Sequence, residues 1–219
     1  MNRQEVFSQL QRGDIFATTN PGIVGQLHKR LFRPRTTRFH YGLLGEKIIH
    51  EDELDWVIFE SIGKGVAVGR LSWYLNDDVE VYRVAVQEST DPRNNNTLAF
   101  NYGLLASLEA TNLGRRLYDF RAWFHIAYYS LKAIAYHLWK EGKAYVHYTD
   151  IPLVLDNRLI CTELVNESYR PYFAVTDNRF LATPANFKHS VLYGRIRTVA
   201  KWRPGGQLIT LPVLKLAGG

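Results

Sequence analysis

A single cysteine, Cys161, sits in the stretch NRLICTELVNESY at 157–169. A thiol becomes a nucleophile when ionised, and a helix start favours the thiolate through its unpaired N–H groups and dipole. The preceding LDNR at 155–158 offers Asp156 or Asn157 as an N-cap, which predicts Cys161 in or just past the first turn. Leu164, Val165 and Ser168 follow at offsets of three, four and seven, so this face of the helix packs inward. The same pattern fits a small, inert core cysteine. The two readings separate on whether a base is at hand.

A nucleophilic cysteine needs a base, ordinarily histidine, oriented in turn by a third polar group. Of the 7 histidines, His125 and His137 fall on a long amphipathic segment away from its apolar stripe and read as surface residues. His28 and His189 lie in basic or loop segments, and His50 in the acidic loop IIHEDELD. His40 differs, because RFHYGLLG places it inside a strand. The next strand ends in VIFESIG, where Glu60 closes an apolar run and can face the same way. A half-buried histidine with a satisfied hydrogen bond and a water-facing glutamate are the plain structural readings of these two residues.

The elements that must position these side chains change period midway. Residues 14–19, 39–45, 55–61, 65–71 and 79–86 are short β-branched or aromatic runs separated by polar or glycine turns, and read as strands. Residues 21–32 interrupt them with Ile23, Leu27 and Leu31 at helical spacing. DPRNNNT at 91–97 reads as a polar connection, followed by a helix over 97–114. A long helix over 118–142 lines up Phe120, Trp123, Phe124, Ala127, Leu131, Ile134 and Leu138 as its core stripe, with Gly142 as the stop. A third helix covers 159–170, closed by Pro171, and SVLYGRIRTV at 190–199 reads as a late strand. The fold class is α+β, a small antiparallel sheet with helices packed on it.

In this order the short motifs resemble the circularly permuted papain-fold amidases. These are the YaeF/YiiX-type group of the NlpC-like superfamily, related to lecithin retinol acyltransferase. GDIF at 13–16 resembles the opening strand, HYGLL at 40–44 the histidine strand, and FESIGKGV at 59–66 the acidic strand with its turn. VYRV at 81–84, YDF at 118–120, CTELV at 161–165 and TPANF at 183–187 follow in family order. The resemblance implies a permuted papain-like domain, with a sheet or half-barrel against helices. It implies Cys161 as nucleophile, His40 as general base and then acid, and Glu60 as orienter of the imidazole. It also implies the Cys161 N–H as an oxyanion donor. Thr162 stands where serine is commoner. A helical insert at about 97–117 and a basic extension from about 194 lie outside the match.

The bulk properties bound the rest. With 219 residues, 46% hydrophobic and 13% aromatic, the chain suits one domain, 1–219, with its own core. One cysteine excludes an intrachain disulfide framework and multi-cysteine zinc sites, and fits a reducing compartment. There is no His-Glu-x-x-His pair and no phosphate loop, so no cofactor or metal is expected. The N-terminal MNRQEVFSQLQRGD lacks an apolar signal segment, and no run of about 18 apolar residues exists. A cytoplasmic protein is expected, with a phage-associated one as the other setting. The net charge of +6 concentrates in HKRLFRPRTTR at 28–38 and GRIRTVAKWR at 194–203, which suit an anionic surface or simply a solvated face. Nucleic acid is not expected as a partner, since no recognition motif accompanies the charge. The functional expectation is a cysteine hydrolase acting on an amide or ester of a cell-wall peptide or lipid amide, with acyl transfer as a variant. The alternative is a catalytically silent binding or virion-associated module on the same fold.

Overall fold

The computed structural model describes residues 3–19, 23–152, 158–203 and 207–208. The first half runs through helix α1 (Arg3–Gln9), strand β1 (Ile15–Thr19), helix α2 (Ile23–Leu31) and the short β2 (Phe32–Arg33). Strands β3 (Arg38–His50), β4 (Glu53–Ile62) and β5 (Gly65–Arg70) follow. A 3-10 turn at Leu71–Tyr74 then leads to β6 (Val79–Val84). The second half holds α3 (Pro92–Asn112), β7 (Leu117–Tyr118), α4 (Phe120–Glu141), β8 (Val146–His147), β9 (Arg158–Leu159) and α5 (Cys161–Tyr169). It closes with α6 (Pro184–Leu192), β10 (Ile196–Arg203) and β11 (Gln207–Leu208).

Seven strands form one antiparallel sheet in the order β11-β10-β6-β1-β3-β4-β5, while β2 pairs with β8 and β7 with β9 as short parallel ribbons. The expected α+β class and the antiparallel sheet are therefore present. Strand alternation gives the sheet two apolar faces. Ile15, Ala17, Tyr41, Leu43 and Tyr82 face one core shared with α3, α5 and α6. Phe16, Leu44, Ile58, Val79 and Val81 face a second core with Val6, Phe7 and Leu10 of the N-terminal segment. Helix α1 was not expected from the sequence; its two apolar residues, Val6 and Phe7, are both buried.

The GDIF segment ties the helical layer to the sheet. Gly13 has φ +82, and a Cβ there would run into the backbone of Gly103 in the middle of α3. The paired glycines let α3 lie close, and Tyr169 of α5 donates its hydroxyl to the Gly13 carbonyl at 2.6 Å. Asp14, next in line, is buried and takes two hydrogen bonds of 2.7 Å from the Arg83 guanidinium of β6. The helix expected as an insert thus contributes Ala99, Ala106 and Ala110 to the largest core.

Four expectations about elements need correction. DPRNNNT is the first turn of α3 rather than a connection: Asp91 caps by accepting from the Arg93 N–H at 2.8 Å, and Pro92 occupies the first turn. Residues 190–192 end a helix, because Thr183 and Pro184 start α6, and the strand begins at Ile196 after Gly194 turns at φ 71. His50 is the last residue of β3, not a loop residue, because the two-residue turn falls at Glu51 and Asp52, both at positive φ.

The fourth concerns α4, which is rotated from the expected orientation. Leu131 and Leu138 face outward, as do Trp123 and Phe124, while Ala122, Ala133 and His137 are buried. The inward face meets Phe32, Val146, Tyr148, Ile151 and Leu181 through Ala133, Ile126, Tyr129 and Ile134, so Ile134 of the expected stripe does pack inward. His137 Nε2 bonds Asp150 at 3.1 Å, and His125 Nε2 lies 3.1 Å from the Pro152 carbonyl, so neither is a plain surface histidine.

Candidate active site

His40 and Glu60 meet because of strand register. Gly42 of β3 sits directly opposite Glu60 of β4, and His40, two residues along β3, is on the same face and diagonal to the carboxylate. Gly42 offers no side chain to block that diagonal; a Cβ there would collide with the Phe16 ring and the Phe59 carbonyl. The His40 ring instead lies 6.1 Å from Phe16, edge to face. Its Nε2 bonds Glu60 Oε2 at 2.5 Å, leaving Nδ1 as the ring nitrogen open to another partner.

That register depends on a β-bulge. Two residues of β3, Gly45 and Glu46, oppose Val57 alone, between the Leu44↔Ile58 and Lys47↔Trp56 pairs. The tight turn on its own pairs His50 with Glu53, a register that would carry through to Leu43 opposite Glu60. A one-residue difference reverses faces, so the bulge is what turns Glu60 toward His40. Gly45 suits the bulge, since a Cβ there would press on the Phe59 ring at 2.8 Å.

Tyr74 completes this side of the site and was not singled out from the sequence. Its hydroxyl donates to Glu60 Oε2 at 2.5 Å and lies 3.5 Å from His40 Nε2, and its ring is roughly parallel to the imidazole. The signal was faint: a tyrosine in LSWYL, in a 3-10 turn whose path back over the sheet is a tertiary property. Glu60 is buried, and its Oε2 takes both of these hydrogen bonds. Phenylalanine at position 74 should remove one charge-assisted hydrogen bond without emptying the space. The expected result for Tyr74→Phe is a fall of roughly tenfold in thiol labelling at unchanged melting temperature, equivalent to about 1.4 kcal/mol.

Cys161 is the first residue of α5, and the cap is Ile160 rather than the expected Asp156 or Asn157, which lie outside the described residues. Ile160 cannot cap with its side chain; its N–H donates to Glu163 Oε2 at 2.9 Å, the backward half of a capping box. Leu164, Val165 and Ser168 are buried, as their spacing predicted, and Ser168 Oγ returns a hydrogen bond to the Leu164 carbonyl at 2.7 Å. Cys161 thus sits in the first turn of α5, at the end of the helix where the unpaired N–H groups lie.

The thiol reaches the sheet at a second irregularity. Thr18 pairs with His40 and Thr19 with Arg38, so Phe39 is an extra residue in β3. Cys161 Sγ lies 3.6 Å from the Phe39 carbonyl oxygen. That carbonyl belongs to the residue next to His40 in β3, so the thiol arrives beside the imidazole and its charge acts on the ring. Burial works against a charged His40, but hydrogen bonds to Cys161 and Glu60 and the charges of both outweigh it, holding the imidazole up to about 10. Burial and the Glu60 carboxylate push the Tyr74 hydroxyl up, so it stays a proton donor. The three residues singled out from the sequence, Cys161, His40 and Glu60, therefore lie together, with Tyr74 and Phe16 around them.

The other histidines lie elsewhere. His189 bonds Tyr148 at 3.1 Å, and His28 stacks on Phe32 with ring centroids 3.8 Å apart. Among the described residues no group of three or more His, Cys, Asp or Glu side chains could hold a metal ion. No protein-family model matches the chain, and no curated protein matches it.

Proposed function

We propose that the protein is a cysteine hydrolase on a permuted papain-like fold, cleaving an amide or ester bond through an acyl-enzyme. The observation that supports this most directly is the His40 imidazole, bonded through Nε2 to buried Glu60 beside the point where the Cys161 thiol meets the Phe39 carbonyl at 3.6 Å. In this reading the thiolate attacks the substrate carbonyl carbon, and the oxyanion that forms accepts from the Cys161 backbone N–H. His40 Nδ1 delivers its proton to the departing amine or alcohol as the carbon–heteroatom bond breaks, leaving a thioester on Cys161. The now neutral imidazole takes a proton from water, whose oxygen attacks the thioester. Acid is released and the thiol–imidazole pair restored. An acceptor alcohol or amine in place of water gives acyl transfer.

Glu60 holds the ring by its Nε2 and stabilises the imidazolium, and Tyr74 holds Glu60. The substrate class we propose is a cell-wall peptide or a lipid or acyl amide, and the setting is cytoplasmic or phage-associated. A thiol-directed activity probe tests the reading. Folded wild-type protein should label at a single site, Cys161→Ala should not label, and Glu60→Gln should label more slowly. Absence of labelling in folded wild type would instead favour a silent binding module.

A further inference from the structure

We infer that the outward face of α4, with the cations Arg121 and Lys132 along one border, is a docking surface for an anionic lipid bilayer. Helix α4 buries Ala122, Ala133 and His137 and turns its largest apolar side chains to solvent. Phe124 is 79% exposed, Tyr128 62%, Leu131 70%, Leu138 55% and Trp139 84%. At 100° per residue these five occupy an arc of about 100° along a helix roughly 33 Å long. An aromatic and aliphatic strip of that extent is far more than the scattered exposed hydrophobics of an ordinary surface.

The charges beside the strip decide the occupant. Arg121 and Lys132 border it on the Tyr128 and Trp139 side, and Glu141 at the very end is the one acidic residue of the helix. Among the described residues neither of these two cations has an ion-pair partner. A second copy of the chain seated two-fold on the strip would bring these cations together, whereas anionic headgroups would neutralise them. Trp139 and Tyr128 carry the amphipathic rings that sit at a headgroup boundary, with Phe124 and Leu131 below them. No helix among the described residues is long and apolar enough to cross a membrane, so α4 would lie in the plane of the interface. No residue of the Cys161 site takes part, so this surface stands or falls apart from the proposed chemistry.

The test uses the full chain with phosphatidylcholine vesicles and with equimolar phosphatidylcholine–phosphatidylglycerol vesicles, read by co-sedimentation and tryptophan fluorescence. The expected result is roughly tenfold or greater preference for the phosphatidylglycerol vesicles, weakening with salt, with a blue-shifted emission. Phe124→Ser/Leu131→Ser/Trp139→Ser alters side chains that are already exposed and should keep the wild-type melting temperature while losing most of the binding. Arg121→Glu/Lys132→Glu should lower binding to the anionic vesicles roughly tenfold and leave the neutral ones unchanged. Cys161→Ala should bind as wild type does. Equal binding to both vesicle types, or none by the folded chain, would overturn the proposal. So would a wild-type dimer that the triple substitution converts to monomer, since that assigns the strip to a second copy.

Discussion

Replacing His40 with alanine should slow acylation of Cys161 by an activated ester by about 10²–10⁴-fold, the usual contribution of a positioned acid–base group. His40 is the one histidine among the described residues that reaches both the thiol and a buried carboxylate. The substitution therefore removes the charge partner of the nucleophile together with the proton carrier. The pH dependence should carry a further signature. In the folded protein His40 is held up to about 10, against an ordinary value of 6.5. Its protonated form therefore contributes stability that is fully present below about 6.5 and is lost as the pH rises through about 10. The wild type should lose melting temperature relative to His40→Ala across that window, and its hydrolytic rate should hold through neutrality before falling on the alkaline side. A wild type and variant with parallel melting profiles would show that His40 holds no excess proton.

Arg83→Met should destabilise the protein by about 3–5 kcal/mol at neutral pH, which for a chain of this size lowers the melting temperature by roughly 10 °C. Both carboxylate oxygens of buried Asp14 depend on the Arg83 guanidinium, and methionine fills similar space without the charge. Burial already pushes the Asp14 carboxyl up, more than Arg83 and the Gln11 N–H pull it down. Without Arg83 the group should take a proton more readily still, so the deficit against wild type should shrink as the pH is lowered from 7 toward about 5. Thermal melts across that range check the claim, and a deficit independent of pH would place the loss in packing instead. The same pair adds a side-chain tie to the backbone ladder between β1 and β6.

What was legible in the sequence follows the reach of local patterns. Alternation and turn residues located β1 and β3 to β6, and the i, i+3, i+4 spacing after Cys161 identified the buried face of α5 correctly. The adjacency of His40 and Glu60 was legible as a plausible order of motifs but not as geometry. Parity along two strands says nothing until register is known, and here the register turns on the bulge at Gly45 and Glu46. The α4 stripe failed for a related reason. Periodicity shows that a helix is amphipathic, yet which face is buried depends on the neighbours, and Phe32, Val146 and Tyr148 take Ala133, Ile126, Tyr129 and Ile134 rather than Phe124 and Leu131. Tyr74 escaped because a single aromatic in a short turn has no pattern at all. Asp91-Pro92 had one, a helix start, and was outweighed by the polar run that follows it.

The central claim, that Cys161 carries an acyl group delivered with the help of His40, is tested most directly by intact-mass spectrometry. Folded protein would be incubated with muropeptides, acyl amides and phospholipids, and any adduct mapped by peptide digestion. The expected result is an increment equal to one acyl group on Cys161, discharged by water or hydroxylamine and missing in Cys161→Ala. An adduct mapped to any other residue, or turnover that survives in Cys161→Ala, would contradict it.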